Sequence, residues 1–254
     1  MAAHLTHVSR STCGHFVFSR ESSAAAHPGP PVILVHGLGT SSLYMVPTAI
    51  RLAADFRVYA PDLPGFGHSS KPPHALDLPA LVEVLAAWMT SAKIQRADMV
   101  GNSLGCQIIA EFGVRYPDRL NRAVLQGPTI DRYARTTARQ MFRFMRDLPR
   151  ERVLEYAINS HDYWRTGFPR AWETMQIALA DRIEEKLPRM RMPVCIVRGA
   201  HDPIVSQRWV EDLARVLPKG RLIITPGAHT PNFSEPDSFA GVVRAFLRPA
   251  VPRT

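Results

Sequence analysis

The stretch Asp98-Met-Val-Gly101-Asn102-Ser103-Leu104-Gly105 decides the fold. A short apolar run leads into it, and a helical pattern from Leu104 to Arg115 leads out. A serine held on so sharp a strand-to-helix turn has strained backbone angles, and side chains two positions away on either side would collide. Glycines at 101 and 105 meet that need. The turn lifts the hydroxyl to the top of a sheet and sets it at a helix amino terminus. There, free N–H groups and the helix dipole favour developing negative charge.

A serine hydroxyl is a weak nucleophile at neutral pH, so it needs a base, and the base needs an orienting acid. Both types follow downstream. Asp202 lies in Val197-Arg-Gly-Ala-His-Asp202-Pro, just after the apolar run Val194–Val197. His229 lies in Pro226-Gly-Ala-His229-Thr, just after Leu222–Thr225. Each sits beyond the carboxyl end of a predicted strand, the edge where Ser103 emerges and where open α/β sheets bind ligands. Asp131, beyond Ala123–Leu125, is the rival for the acid, while His201 and His68 read as loop and turn residues. Acyl transfer also requires fixed N–H donors for an oxyanion. The loop His36-Gly-Leu-Gly39 supplies one through Leu38, and the residue after the serine, Leu104, supplies the other.

The rest of the chain fits a parallel sheet covered by helices. Short, nearly all-apolar runs at Val32–Val35, Phe56–Ala60, Met99–Gly101, Ala123–Leu125, Val194–Val197 and Leu222–Thr225 read as strands buried on both faces. Two weaker stretches, Leu5–Arg10 and His15–Ser19, read as an antiparallel edge hairpin, with a turn over residues 24–31. Leu78, Leu81, Val82, Leu85 and Met89 recur at helical spacing behind a capping Asp77. Trp209, Leu213, Val216 and Leu217 form another such stripe, and Phe239, Val242, Val243, Phe246 and Leu247 a third. From Pro128 to Met190 no strand is evident. The expected architecture is an eight-stranded, mostly parallel α/β sheet, with core residues 1–127 and 191–254 and a helical cap over 128–190.

Composition narrows the function classes. Of 254 residues 46% are hydrophobic, which excludes a wholly disordered chain. No run approaches the ~18 apolar residues of a membrane span. The amino terminus lacks the apolar core of a secretory signal. Three cysteines without paired spacing argue against a disulfide scaffold or a zinc site and fit a reducing cytoplasm. The net charge of +9 is spread along the chain without a run or a nucleic-acid-binding motif, so it reads as solvated charge and not as a nucleic-acid surface.

Together, His36-Gly-Leu-Gly39, Pro61-Asp-Leu-Pro-Gly-Phe-Gly-His-Ser69, the serine turn, Gly199-Ala-His-Asp202 and Gly227-Ala-His229 resemble the α/β-hydrolase superfamily. The resemblance implies a Ser103–Asp202–His229 triad, an acyl-enzyme, no metal or organic cofactor, and a small substrate with an apolar acyl or aryl group. A serine at 103 argues against epoxide hydrolases and dehalogenases, whose family nucleophile is aspartate. The expected activity is carboxylic ester hydrolysis. A C–C bond hydrolase of ring-fission diketones is the alternative, although such relatives carry Trp where this chain has Thr230 and a His-Gly-Pro-Gly loop where it has His36-Gly-Leu-Gly39. A ligand receptor on the same fold, an acyltransferase and a homodimer all stay open.

Other residues carry competing readings. Asn102 reads equally as a hydrogen-bonding residue beneath the turn and as packing, and Cys106 as a buried, inert thiol. His36 is assigned to support of the oxyanion loop. In the cap, Arg135, Arg139, Arg143 and Arg146 share a helical face, either a solvated surface or a cationic roof for an anionic substrate. Tyr163, Trp164, Phe168 and Trp172 either line an apolar pocket or pack the cap onto the core.

Overall fold

Val32–Val35 is apolar at every position because both of its faces are covered. Ile33 and Val35 join one buried cluster, Val32 and Leu34 the other, as the two-residue strand period requires. Each such side chain contributes roughly 1.5–3 kcal/mol through burial. The computed structural model describes residues 4–23 and 29–248. Its strands are β1 (Leu5–Thr12), β2 (His15–Ser22), β3 (Val32–Val35), β4 (Val58–Pro61), β5 (Ala97–Asn102), β6 (Leu120–Gln126), β7 (Val194–Gly199) and β8 (Gly220–Thr225).

They form one sheet in the order β1-β2-β4-β3-β5-β6-β7-β8. The β1–β2 hairpin and its junction with β4 are antiparallel, and all later ladders are parallel. The expected eight-stranded α/β architecture is therefore present. Every strand but β3 differs at a boundary: β1, β2 and β5 to β8 extend one to three residues past their expected runs, and β4 is shifted. Phe56 donates its N–H to the Leu52 carbonyl (2.9 Å), closing the turn after a helix, so β4 starts two residues later than its apolar run suggests. The turn expected over 24–31 falls mainly on residues 24–28, outside the described residues.

The helices are α1 (Val46–Leu52), α2 (Leu78–Ser91), α3 (Leu104–Arg115), α4 (Thr137–Asp147), α5 (Val153–Thr166), α6 (Phe168–Ala180), α7 (Ile183–Lys186), α8 (Gln207–Val216), α9 (Pro231–Ser234) and α10 (Pro236–Leu247). On one face of the sheet α2, α3 and α8 bury Leu81, Leu85, Ile108, Phe112 and Trp209. On the other, α1 and α10 bury Leu52, Phe239 and Val243. Side-chain caps fix several starts. Asp77 accepts from the Ala80 N–H (2.8 Å), Thr136 from Arg139 (3.3 Å) and Ser206 from Trp209 (3.2 Å), each worth about 1 kcal/mol. Helices α4 to α7 lie between β6 and β7 and form the helical cap.

Parallel pairing brings the carboxyl ends of the central strands level. Val35 lies opposite Gly101, Asn102 opposite Gln126, and Gly199 opposite Thr225. The loops that leave these ends build the site.

Candidate active site

Ser103 stands between β5 and α3 with φ 56° and ψ −117°, a backbone region that residues with side chains rarely adopt. Its N–H donates to the Gln126 carbonyl on β6 (3.0 Å), which anchors the turn to the sheet. The flanking glycines have the steric role expected of them. A Cβ on Gly105 would lie 2.3 Å from the Val35 carbonyl oxygen, and one on Gly101 would lie 2.7 Å from the Gly105 backbone. Neither obstacle is a flexible side chain, so the turn closes only with glycine at both places.

Asp202 and His229 are joined. The imidazole Nδ1–H donates to Asp202 Oδ2 (2.9 Å), and both residues are buried. The other carboxylate oxygen accepts from the Ile204 and Val205 N–H groups (2.7 and 3.0 Å). Arg198 fixes the same loop by donating to the Asp202 and Val205 carbonyls. Gly127, at φ 55°, backs the ring, and a Cβ there would lie 2.9 Å from His229 Cε1. Burial opposes an imidazolium at His229. The facing Asp202 carboxylate, helped by Asp147 and Glu151, outweighs that penalty and lifts its pKa to about 9.

Ser103 and His229 line one cavity, of about 320 Å³. They are not hydrogen-bonded to each other. The Ser103 hydroxyl instead pairs with Thr129 Oγ1 (3.3 Å). The hydroxyl thus pairs with Thr129 and not with the imidazole expected to serve as its base. A hydroxyl turns about one side-chain bond, and such contacts commonly tighten only when substrate is bound.

Among the described residues, neither the Leu38 nor the Leu104 N–H donates to a protein acceptor, and both residues line the cavity. His36 holds the Leu38 loop in place. Its Nε2 accepts from the Leu63 N–H (3.0 Å), so the ring proton sits on Nδ1, which donates to the Gly37 carbonyl (2.8 Å). Burial lowers the His36 pKa, favouring this neutral form. Tyr44, which the sequence reading missed, ties the loop to the serine turn. Its hydroxyl accepts from the Gly37 N–H (2.9 Å) and donates to Asn102 Oδ1 (2.7 Å). Asn102 Nδ2 donates to the His229 carbonyl (3.2 Å), as does Gln126 Nε2 (2.9 Å). Asn102 is thus a junction of three loops.

The other candidates separate cleanly. Asp131 accepts from the Tyr133 and Ser206 N–H groups and pairs with Arg143, away from the imidazole. Cys106 is buried, and burial pushes its thiol pKa well up, which leaves it unreactive. His201 is exposed on its loop. Among the described residues no arginine or lysine lines the cavity. Arg135 pairs with Glu184 (2.8 Å) and Arg143 with Asp131, while Arg139 and Arg146 are exposed, so the cap arginines make no cationic roof. Of the four cap aromatics only Tyr163 lines the cavity. Its ring lies where a Cβ on Gly39 would be, 2.2 Å from Cε1. Trp164 and Phe168 are 81% and 77% exposed, so they serve neither of the roles expected of them.

Charge inside the cavity is acidic. Asp147, Glu151 and Glu155 all line it. Glu151 Oε1 accepts from the His229 and Thr230 N–H groups (3.0 and 3.1 Å). Burial lifts the Glu155 carboxyl to about 9, with Glu151 adding to the effect, and it lifts Asp147 to about 7. Sequence periodicity did not mark these residues, because the helix breaks between 147 and 153.

A mostly parallel sheet, a serine on a strained strand-to-helix turn, and a helical cap over the carboxyl edge define an α/β-hydrolase architecture. The chain belongs to the alpha/beta hydrolase fold family, whose model matches residues 30–169. It is 24% identical over 243 residues to esterase YbfF of Escherichia coli strain K12, covering 87% of this chain and 94% of the relative. It is 28% identical over 214 residues to the 2-hydroxymuconate semialdehyde hydrolase of Pseudomonas sp. strain CF600, covering 77% and 69%. Among solved structures, the enol-lactonase of Burkholderia xenovorans LB400 is similar with a TM-score of 0.80 at 22% identity, covering 94% of this chain and 99% of that one. Among the described residues no helix is long and apolar enough to cross a membrane.

Proposed function

We propose that the protein is a serine hydrolase that cleaves small carboxylic esters through an acyl-enzyme. Ser103 Oγ forms a bond to the ester carbonyl carbon as its proton passes to His229 Nε2. Asp202 holds the ring with its Nδ1–H inward and stabilises the imidazolium. The Leu38 and Leu104 N–H groups bind the oxyanion, strengthened by the amino terminus of α3. As the tetrahedral intermediate collapses, the C–O bond to the alcohol breaks and the alcohol leaves with the proton from His229. Water, deprotonated by the same imidazole, then releases the acid and restores Ser103.

The observation that carries this reading is the opening of the Ser103 elbow and the bonded Asp202–His229 pair into one cavity. Esterase YbfF supports it by name. Replacing Ser103 by Ala is expected to lower turnover of p-nitrophenyl butyrate by roughly 10⁴-fold or more. Turnover within a few fold of wild type would remove Ser103 from the reaction.

The 2-hydroxymuconate semialdehyde hydrolase relative favours a second reading, cleavage of a C–C bond. Thr230 and the His36-Gly-Leu-Gly39 loop speak against it. Comparing turnover of a vinylogous diketone with that of the p-nitrophenyl ester separates the two.

A further inference from the structure

Four carboxyl oxygens beside His229 have no hydrogen-bond partner: Asp147 Oδ1, Glu151 Oε2 and both oxygens of Glu155. Glu155 is fully buried and Asp147 is 5% exposed. None of the three acids has an arginine or lysine within ion-pair distance among the described residues, although the protein carries nine net positive charges. Thr230, 7% exposed and lining the same cavity, sets its hydroxyl toward Glu155 without a close hydrogen bond to any protein group. Asn159 Oδ1, on the same wall, is also unpartnered.

Unsatisfied buried acceptors are costly, about 1–3 kcal/mol each and more when charged. A fold keeps such a group where a ligand supplies the missing donors. Most of the orphan atoms are carboxyl oxygens that face only the His229 imidazolium, so a group bringing N–H donors and further positive charge complements them. Among the described residues no three His, Cys, Asp or Glu side chains converge as a metal site would. The acceptors are instead spread along a wall, as a multi-donor organic cation requires. The remaining lining, including Leu38, Ile130, Phe144, Tyr163 and Met175, suits an apolar body, and its aromatic faces attract a cation.

We propose that the acidic end of this cavity receives a protonated amine, a primary ammonium or guanidinium carried on an apolar body, so that the substrate is a cationic ester. The inference rests on the ester-hydrolase reading of the same cavity and names its substrate class. In the empty cavity burial keeps a proton on the Glu155 carboxyl. The entering cation donates its N–H groups to the carboxylate oxygens, and the displaced Glu155 proton passes to solvent.

The test uses binding and not turnover, so its failure is distinct from a failure of the Ser103 chemistry. Hexylammonium, 1-hexanol and hexanoate share one chain and differ in head group. Calorimetric titration of the whole protein at about pH 8, where the amine is charged, is expected to show hexylammonium bound roughly ten-fold or more tighter than 1-hexanol, with hexanoate weakest. Its binding releases protons, read as a dependence of the heat on buffer ionisation. In Glu155→Gln and in Asp147→Asn the preference for the ammonium shrinks, while 1-hexanol binding reports that the cavity is intact. Equal or tighter binding of 1-hexanol or hexanoate to the wild-type protein would overturn the proposal. So would an ammonium preference undiminished in both variants.

Discussion

The sheet edge and the cap enclose the same cavity and are built on opposite terms. At the sheet edge most polar groups that shape the site are matched, Gln126 Oε1 and the Thr230 hydroxyl being exceptions. Asp202 has three donors, His36 uses both ring nitrogens, and Tyr44, Asn102 and Gln126 close a network across three loops. In the cap, Asp147, Glu151 and Glu155 leave carboxyl oxygens unpartnered toward the cavity, while Arg139 and Arg146 face out and Arg135 and Arg143 pair with Glu184 and Asp131. The contrast teaches where each kind of constraint lies. On the proposed reading, geometry for chemistry comes from a largely satisfied scaffold, and selectivity from a wall left incomplete until a ligand arrives.

Substitutions on the two sides should therefore have opposite signs. The largest effect belongs to the sheet edge. Gly105→Ala places a methyl against the Val35 carbonyl oxygen, 2.3 Å away, where backbone and not side chain must yield. We expect a loss of roughly 3 kcal/mol or more, seen as a lower denaturation midpoint in urea. A midpoint unchanged by Ala would show that the turn is looser than described.

The cap should respond the other way. Glu155 is held protonated by burial, with its pKa lifted to about 9, so folding binds a proton that the unfolded chain releases above its ordinary range. Its contribution to stability falls as pH rises from about 4.5 toward 9. Glu155→Gln removes that penalty and should raise the melting temperature near neutral pH by a few degrees, equivalent to about 1 kcal/mol. Below about pH 4.5 the gain should vanish. A destabilised Glu155→Gln protein at neutral pH would mean that the carboxyl is satisfied after all.

The smallest effect couples the two regions. With the His229 pKa lifted to about 9, the neutral base becomes populated only as pH climbs. The kcat/KM of ester hydrolysis should accordingly rise through pH 8 to 9 and not level off near 6.5. Asp147→Asn removes one of the charges that hold the imidazolium, so the limb should move down by up to about one pH unit. A limb at the ordinary imidazole position, indifferent to Asp147, would uncouple cap from site.

Much of this was legible in the sequence, for identifiable reasons. Strands covered on both faces are written as unbroken apolar runs, so β3 and the first four residues of β7 could be read directly. Caps such as Asp77 are local and equally plain. The placement of Ser103, Asp202 and His229 was legible because each follows such a strand, which fixes the sheet edge it occupies. What stayed hidden depends on approach between distant segments. Nothing near Tyr44 says that its hydroxyl meets Gly37 and Asn102, and Gly127 gives no sign that it backs an imidazole. In the cap, the regular spacing of Arg135, Arg139, Arg143 and Arg146 drew notice, yet it identifies a face without saying which way it points. Asp131 and Glu184 neutralise two of those arginines, and the acids that matter to the cavity straddle a helix break that periodicity cannot cross. The hydroxyl rotation that pairs Ser103 with Thr129 is beyond any pattern in the chain.

The most direct measurement treats the whole protein with a fluorophosphonate and maps the modified peptide by mass spectrometry. A hydroxyl activated by the Asp202–His229 pair reacts with the probe, so the expected result is one adduct, on Ser103, lost in His229→Ala. Stoichiometric labelling elsewhere, or no labelling of a folded protein, would contradict the account.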